Sequence, residues 1–404
     1  MPKQKKGRGG QKGHRGDTLR MVGEVDDIRP CYAMACSCGQ VLRPSDQEMG
    51  SRRQVFDLPE PKLRVVEYQQ YGCTCPACGT ACRGTYPAGV DGPVQYGSGV
   101  KALGVLLTQG YCLSLEKTSQ LFADLFGYRL KEQTLLQAQA TAYERLAASE
   151  SLIQAQLAQS PVVHADETGL RVEGKLQWLH TASNSLWTYL YMHPKRGTEA
   201  FQSGDSILKT LNQWLVHDCW ASYFKLEDFC HALCGAHLLR ELQAQVEQGR
   251  QWAVEMHDLL LDLYHQSREQ PLAPTRRKAV MARFEAICQA AQREEPPPEP
   301  QKRGKPKRTK GRNLFERMQT HREAVFAFAF HSEVPFTNNL AERDIRPLKL
   351  KQKVAGCFRT STGAKHFART LGVISTTRKH TRNVFRELRD AFEGHTFITR
   401  EWAT

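Results

Sequence analysis

The sequence predicts a mixed α/β protein with a small sheet set among helices and a cysteine-rich module ahead of it. Three observations carry this. Apolar strand-like runs broken by short turns begin at Pro161, helical periodicity fills residues 96–157 and most of 240–330, and seven of the thirteen cysteines crowd into residues 31–82. A chain of 404 residues accommodates two or three domains at roughly 100 to 200 residues each.

Composition narrows the function classes. Hydrophobic residues make up 40% and charged residues 24%, a globular balance, and no apolar run approaches the roughly 18 residues of a membrane span. The N-terminal MPKQKKGRGGQKGHRG has no apolar segment behind it and so is not a secretory signal. A cytoplasmic protein without a membrane partner is expected, and in a reducing compartment its cysteines read as metal ligands or core residues rather than disulfides. The formal net charge of +14 is uneven: six Lys/Arg and no acid in residues 1–16, seven and no acid in 301–312, and thirteen against two acids from Arg343 to Arg389. One basic run is as often an idle solvated tail, but three, one of them inside folded-looking sequence, point to a nucleic acid.

Residues 1–30 read as a basic flexible arm and 31–95 as a zinc-binding domain. Cys75-Pro-Ala-Cys78-Gly79 is a knuckle in which two thiolates reach one zinc while the glycine lets the backbone turn beneath it. Cys36-Ser-Cys38-Gly39 is its expected partner, one residue short in spacing, with Cys31, Cys73 and Cys82 as substitutes. The stretch around Pro59-Glu60-Pro61 between the knuckles reads as a hairpin. Residues 96–160 read as a helical domain; a pair within 115–140, joined at Phe126-Gly127-Tyr128, has the form of a helix-turn-helix, although such pairs are more often simple packing.

From Pro161 the pattern changes. Residues 161–166, 176–182 and 186–192 read as an antiparallel meander turning at Glu173-Gly174-Lys175 and Ser183-Asn184-Ser185. A helix over 206–215, a strand through Val216 to Asp218 and another over 229–237 follow, with a helix beginning at Leu238. The domain is expected to span 161–390, with a helical insertion at 240–330 that contains a basic proline-rich loop at 295–312, and with a C-terminal tail at 391–404.

Two of these strands end in acids, Asp166 and Asp218. Neighbouring strands would set the two face to face, and facing carboxylates repel unless a cation lies between them; magnesium, with its preference for oxygen ligands, is the expected ion. Glu167 is a rival, but successive strand residues point to opposite faces, whereas His164 shares a side with Asp166. A third acid is offered by TNNLAERDIRPLKLKQK. On a helix, Asn339, Glu342, Arg343 and Arg346 share one face, and Pro347 is expected to end or kink that helix. The local sequence fits equally well a cap at Asn339 with Glu342 as its capping-box partner. Arg343, Arg346, Lys349, Lys351 and Lys353 are the candidates for phosphate contact.

GGQKGHRG, the knuckles, HADETG, LVHDCWASY, CGAHLLREL and NNLAERDIRPLK resemble, in that order, the motifs of bacterial transposases of insertion sequence family 66, over about Gly9 to Leu388. The resemblance implies a ribonuclease H-like catalytic core with a mostly helical insertion, preceded by a small zinc-binding domain and a helical domain. It implies a DDE triad: Asp166, Asp218 and Glu342 would bind two magnesium ions, or manganese, about 3.5 to 4 Å apart. Asp166 would bridge them, and cleavage at the element ends would precede strand transfer into target DNA. Cys36, Cys38, Cys75 and Cys78 would hold structural zinc. Cys234 and His237, a Cys-x-x-His pair, are expected with Asn339 to shape the site rather than to bind zinc, since only two soft ligands lie close in sequence. Implied partners are DNA, further copies of the chain on paired ends, and accessory proteins from the same element, in a nucleoid-associated setting. Two departures stand: the one-residue spacing of the first knuckle, and a chain that starts almost at the glycine-rich motif where family members usually carry a helical segment. The alternative function is a catalytically inactive or domesticated protein that occupies element ends.

Overall fold

The computed structural model describes residues 19–299 and 307–402, in two units divided between Arg64 and Val65. Much of the expected basic arm and residues 300–306 of the proline-rich loop lie outside the described residues.

The described residues of the first unit are mostly exposed and nearly devoid of regular structure. Side-chain amides stand in for strand pairing: Gln47 accepts from the Ala33 amide and donates to its carbonyl, both at 2.9 Å, and Gln54 does the same for Val22 at 2.8 Å. The Cys36 knuckle turns through Gly39 at φ +93°, its amides closing Cys36 N to Gln40 O and Gly39 N to Cys36 O at 2.8 Å.

The second unit opens with the other knuckle, between β1 (Gly72–Thr74) and β2 (Ala81–Arg83), paired with Cys73 opposite Cys82. Gly79, at φ +72°, turns beneath Cys75 in the manner of Gly39. No strand forms over residues 48–71, so the expected hairpin there is absent; Val55, Leu58 and Val65 lie exposed, and strands without an apolar layer to cover are marginal in water.

Four helices follow: α1 (Ser98–Val105), α2 (Leu115–Phe126), α3 (Glu132–Arg145) and α4 (Ala147–Ala158). Ser114 caps α2 by accepting from the Lys117 amide at 3.1 Å, and Gly127 ends it in the left-handed conformation, as the Phe-Gly-Tyr junction predicts.

The sheet then forms from β3 (Val162–Val172), β4 (Lys175–Ser183), β5 (Thr188–His193), β6 (Trp214–His217) and β7 (Cys230–Leu233), in spatial order β5-β4-β3-β6-β7. The β3–β4 turn places Glu173 and Gly174 at φ +53° and +75°, the tight hairpin that suits strand twist. β4 and β5 are antiparallel and β6 and β7 parallel to their neighbours. Between β5 and β6 lie only α5 (Thr198–Phe201) and a turn at Leu208–Thr210, so the helix expected over 206–215 is not formed. Ile207, Leu208 and Leu211 are instead buried along an irregular crossover.

α6 (Gly235–Val246), α7 (Gln251–Ser267), α8 (Arg277–Glu294), α9 (Lys310–Thr320) and α10 (Arg322–Phe330) form the inserted helices; α11 (Asn339–Ala355), α12 (Ser361–Lys379), α13 (Val384–Phe392) and α14 (Phe397–Trp402) complete the chain. The last residues are not a tail, because Phe397 and Ile398 are buried with α1, α4 and α12. Alternation along β3 divides the interior: Val163 and Ala165 face α3, α4 and α12, whereas Val162 joins the core of the inserted helices.

Candidate active site

Asp166 lies in the middle of β3, not at its end. The strand continues to Val172 because β4 pairs with it from His164 to Val172, but its parallel partner β6 stops: Val162 pairs with Trp214 and His164 with Val216. Carried two steps further, that register sets Asp166 level with Asp218, just past the last residue of β6. The open edge of β3 beyond β6 is thus where both acids emerge.

Alternation separates the neighbours on β3. His164 and Asp166 face α11. Glu167 points the other way, where Arg196 Nη2 and Nε each lie 2.8 Å from Oε1 and the Tyr223 hydroxyl donates to Oε2. Arg196 is itself stacked over Trp220 at 4.1 Å and Trp178 at 5.0 Å. Among the described residues Asp166 has no such basic partner: its hydrogen bond comes from the Glu167 amide at 2.9 Å. Burial and the nearby Glu167 charge, with Asp218 and Glu342 adding to it, push its carboxyl up to about 7. Asp218 accepts from the Trp220 amide at 3.0 Å.

Glu342 sits in the first turn of α11, brought over β3 by three ties. Asn338, 1% exposed, donates from Nδ2 to Ala165 O at 2.8 Å and meets His164 Nδ1 at 2.9 Å. Asp344 receives Lys379 and Ser375, each at 2.7 Å, anchoring α11 to α12. Gln352 donates to Gly169 O at 3.0 Å. Neither the capping box nor a role for Asn339 appears: Asn338 precedes the helix without a side-chain cap bond, and Asn339 is exposed. The tie to β3 belongs to Asn338, one residue earlier, and local spacing could not tell which of two adjacent asparagines faces inward. Nor does Pro347 end the helix, which runs on to Ala355 without the bond a residue-347 amide would have made.

Cys234 and His237 flank the same place. A methyl on Gly235 would meet the Phe336 ring at 2.2 Å; the bare glycine lets its amide donate to Phe336 O at 2.8 Å, drawing the start of α6 against the approach to α11. The Asn338 amide donates to Cys234 Sγ at 3.1 Å, and His237 Nδ1 lies 3.6 Å from Glu342 Oε1. Burial opposes ionisation of Cys234, but hydrogen bonds from His237 and Asn338 outweigh it and lower the thiol. The sequence gives no sign of this third donor beside the Cys-x-x-His pair, since it arrives from beyond the inserted helices.

Four of the expected DNA contacts, Arg343, Arg346, Lys349 and Lys353, are exposed along α11. Lys351 is not: its ammonium turns inward to Thr108 O at 3.3 Å, with burial lowering its pKa. Each knuckle has a donor set suited to zinc. Cys36 is lowered by hydrogen bonds from the Cys38 backbone and thiol, and Cys78 by those from Thr80 and the Cys75 thiol. Among the described residues, no helix is long and apolar enough to cross a membrane.

Comparison with curated proteins gives no match. A family model for the zinc-finger binding domain of transposase IS66 matches residues 34–79, across both knuckles, and a second, for the transposase IS66 family, matches residues 93–366, including all three acids. The larger match covers more than half of the sequence, and the chain belongs to the transposase IS66 family.

Proposed function

We propose that this chain cleaves the ends of an insertion sequence and joins them to target DNA, using Asp166, Asp218 and Glu342 to hold magnesium. The observation that carries this is geometric: the register of β3 and β6 sets Asp166 level with Asp218, and Asn338 ties the start of α11, with Glu342 in its first turn, to β3; the Asp166 carboxyl is raised by burial and Glu167, with Asp218 and Glu342 adding to it. The donor set fits a hard divalent cation, since all three side chains offer carboxylate oxygens. When bound, magnesium would activate the attacking oxygen and stabilise the leaving one. The protein's own part is positional. Asn338 fixes the start of α11 on β3, the Trp220 amide orients Asp218, and Arg343, Arg346, Lys349 and Lys353 offer phosphate contacts.

The sheet order, an antiparallel meander joined to parallel β6 and β7, supports a ribonuclease H-like core. The zinc-finger match supports structural zinc, which we assign to the knuckle thiols Cys36, Cys38, Cys75 and Cys78. As further parts of the proposal, several copies act together on paired ends, helped by accessory proteins, and α2–α3 is a candidate contact with DNA.

The test is incubation of the protein with DNA carrying the flanking ends of its own gene, with magnesium, comparing wild type with Glu342→Gln. Cleavage by wild type alone is expected. Binding without cleavage by either protein would instead indicate an end-occupying protein.

A further inference from the structure

We infer that Cys234, His237 and Glu342 form a second zinc site, separate from the knuckles and adjoining the three acids. Each of the three offers one ligand atom, and those atoms lie within 4.8 Å of one another. The arrangement is unusual in what it leaves unpaired. His237 Nδ1 and Glu342 Oε1 face each other at 3.6 Å, too far for a hydrogen bond, and both are buried without a partner. A buried polar atom left in that condition is destabilising, and one cation between them satisfies both.

The third donor is equally prepared. Cys234 Sγ is buried and already receives the Asn338 amide at 3.1 Å, the kind of outer hydrogen bond that orients a metal-bound thiolate. One sulfur, one imidazole nitrogen and one carboxylate oxygen suit zinc, whereas a thiolate and an imidazole are poor magnesium ligands. Three protein ligands leave the fourth tetrahedral position for water. The competing description is a Cys–His hydrogen bond that merely braces the corner between β7 and α6; it leaves Glu342 Oε1 unpaired.

Glu342 would then belong to two neighbourhoods, with Oε1 on the soft ion and Oε2 left for the hard one. The zinc site itself rests on side-chain geometry and does not require the cleavage reaction.

The test uses the full-length chain, stripped with a chelator and reloaded at fixed free zinc, with bound zinc counted by elemental mass spectrometry. Cys234→Ala and His237→Ala should each hold one zinc per chain less than wild type, the knuckle ions contributing equally to all. Cobalt in place of zinc should give a wild-type minus His237→Ala difference spectrum with a thiolate-to-metal charge-transfer band. Should Cys234→Ala fail to fold, His237→Ala decides alone, since its side chain is one-third exposed. A folded His237→Ala protein that retains the full wild-type zinc content would overturn the site. Asp166→Asn separates the two ideas: it should keep this zinc and lose cleavage. An Asp166→Asn protein that still cleaves would remove the catalytic reading and leave the zinc site standing.

Discussion

Asp166 and Glu167 are adjacent acids on one strand, and their surroundings could hardly differ more. Glu167 is enclosed by a guanidinium and a phenol, with two indoles holding the guanidinium in place. The Asp166 carboxyl is instead raised by burial and by the charges of Glu167, Asp218 and Glu342. On the proposed reading, the pair separates a structural acid, whose counter-charge is built in, from one whose counter-charge would be a bound metal.

The largest effect that could break this contrast is on cleavage. Asp166→Asn should reduce magnesium-dependent cleavage of end DNA by roughly a thousandfold or more, equivalent to about 4 kcal/mol of barrier, while leaving DNA binding within a few-fold. Glu167→Gln should act mainly on the fold: Arg196 loses its partner but is 38% exposed and can be solvated, so stability should fall by about 1 kcal/mol in urea titration. Unchanged stability together with lost cleavage in Glu167→Gln would erase the distinction.

A smaller effect lies in pH. The Asp166 carboxyl titrates at about 7 in the folded chain, above its unfolded value, so between roughly pH 4 and 7 the folded state holds the extra proton. Stability of the metal-free protein should therefore fall as pH rises through that window, by about 1–3 kcal/mol. Asp166→Asn should remove this slope and be more stable than wild type at pH 8. Thermal melts with chelator present would show a persisting slope if another group were responsible.

The smallest effect concerns α11. Lys353→Ala should weaken DNA binding a few-fold and lower the salt slope by about one. Lys351→Ala should leave that slope unchanged, because its ammonium is already engaged with Thr108 O.

Much of this was legible where local chemistry decides. Gly127 marks the end of α2, and Glu173-Gly174 marks the first hairpin. What was hidden depended on distant partners. That β3 runs past its acids follows from β4 pairing with it from His164 to Val172 while β6 stops short, which residues 161–166 do not encode. Residues 206–215 have apolar residues enough for a helix, but sheet pairing claims Trp214 and leaves the rest as a crossover. That Asn338 rather than Asn339 faces the strand, and that Lys351 turns inward, are questions of rotation settled by β3 and by Thr108, both far away in sequence.

The contact between Gly235 and Phe336 has a consequence for how the chain can change. The inserted helices leave and rejoin the sheet domain at a neck closed by Gly235 N to Phe336 O at 2.8 Å and the Asn338 amide to Cys234 Sγ at 3.1 Å. Everything between those residues is a closed excursion whose two feet already touch. Such an excursion can lengthen, shorten or be exchanged without moving its own anchor points, provided the replacement still covers Val216 and Ala232 on the sheet behind it. Adding a single methyl at residue 235 would do what a large change in the excursion need not, by prising the feet apart.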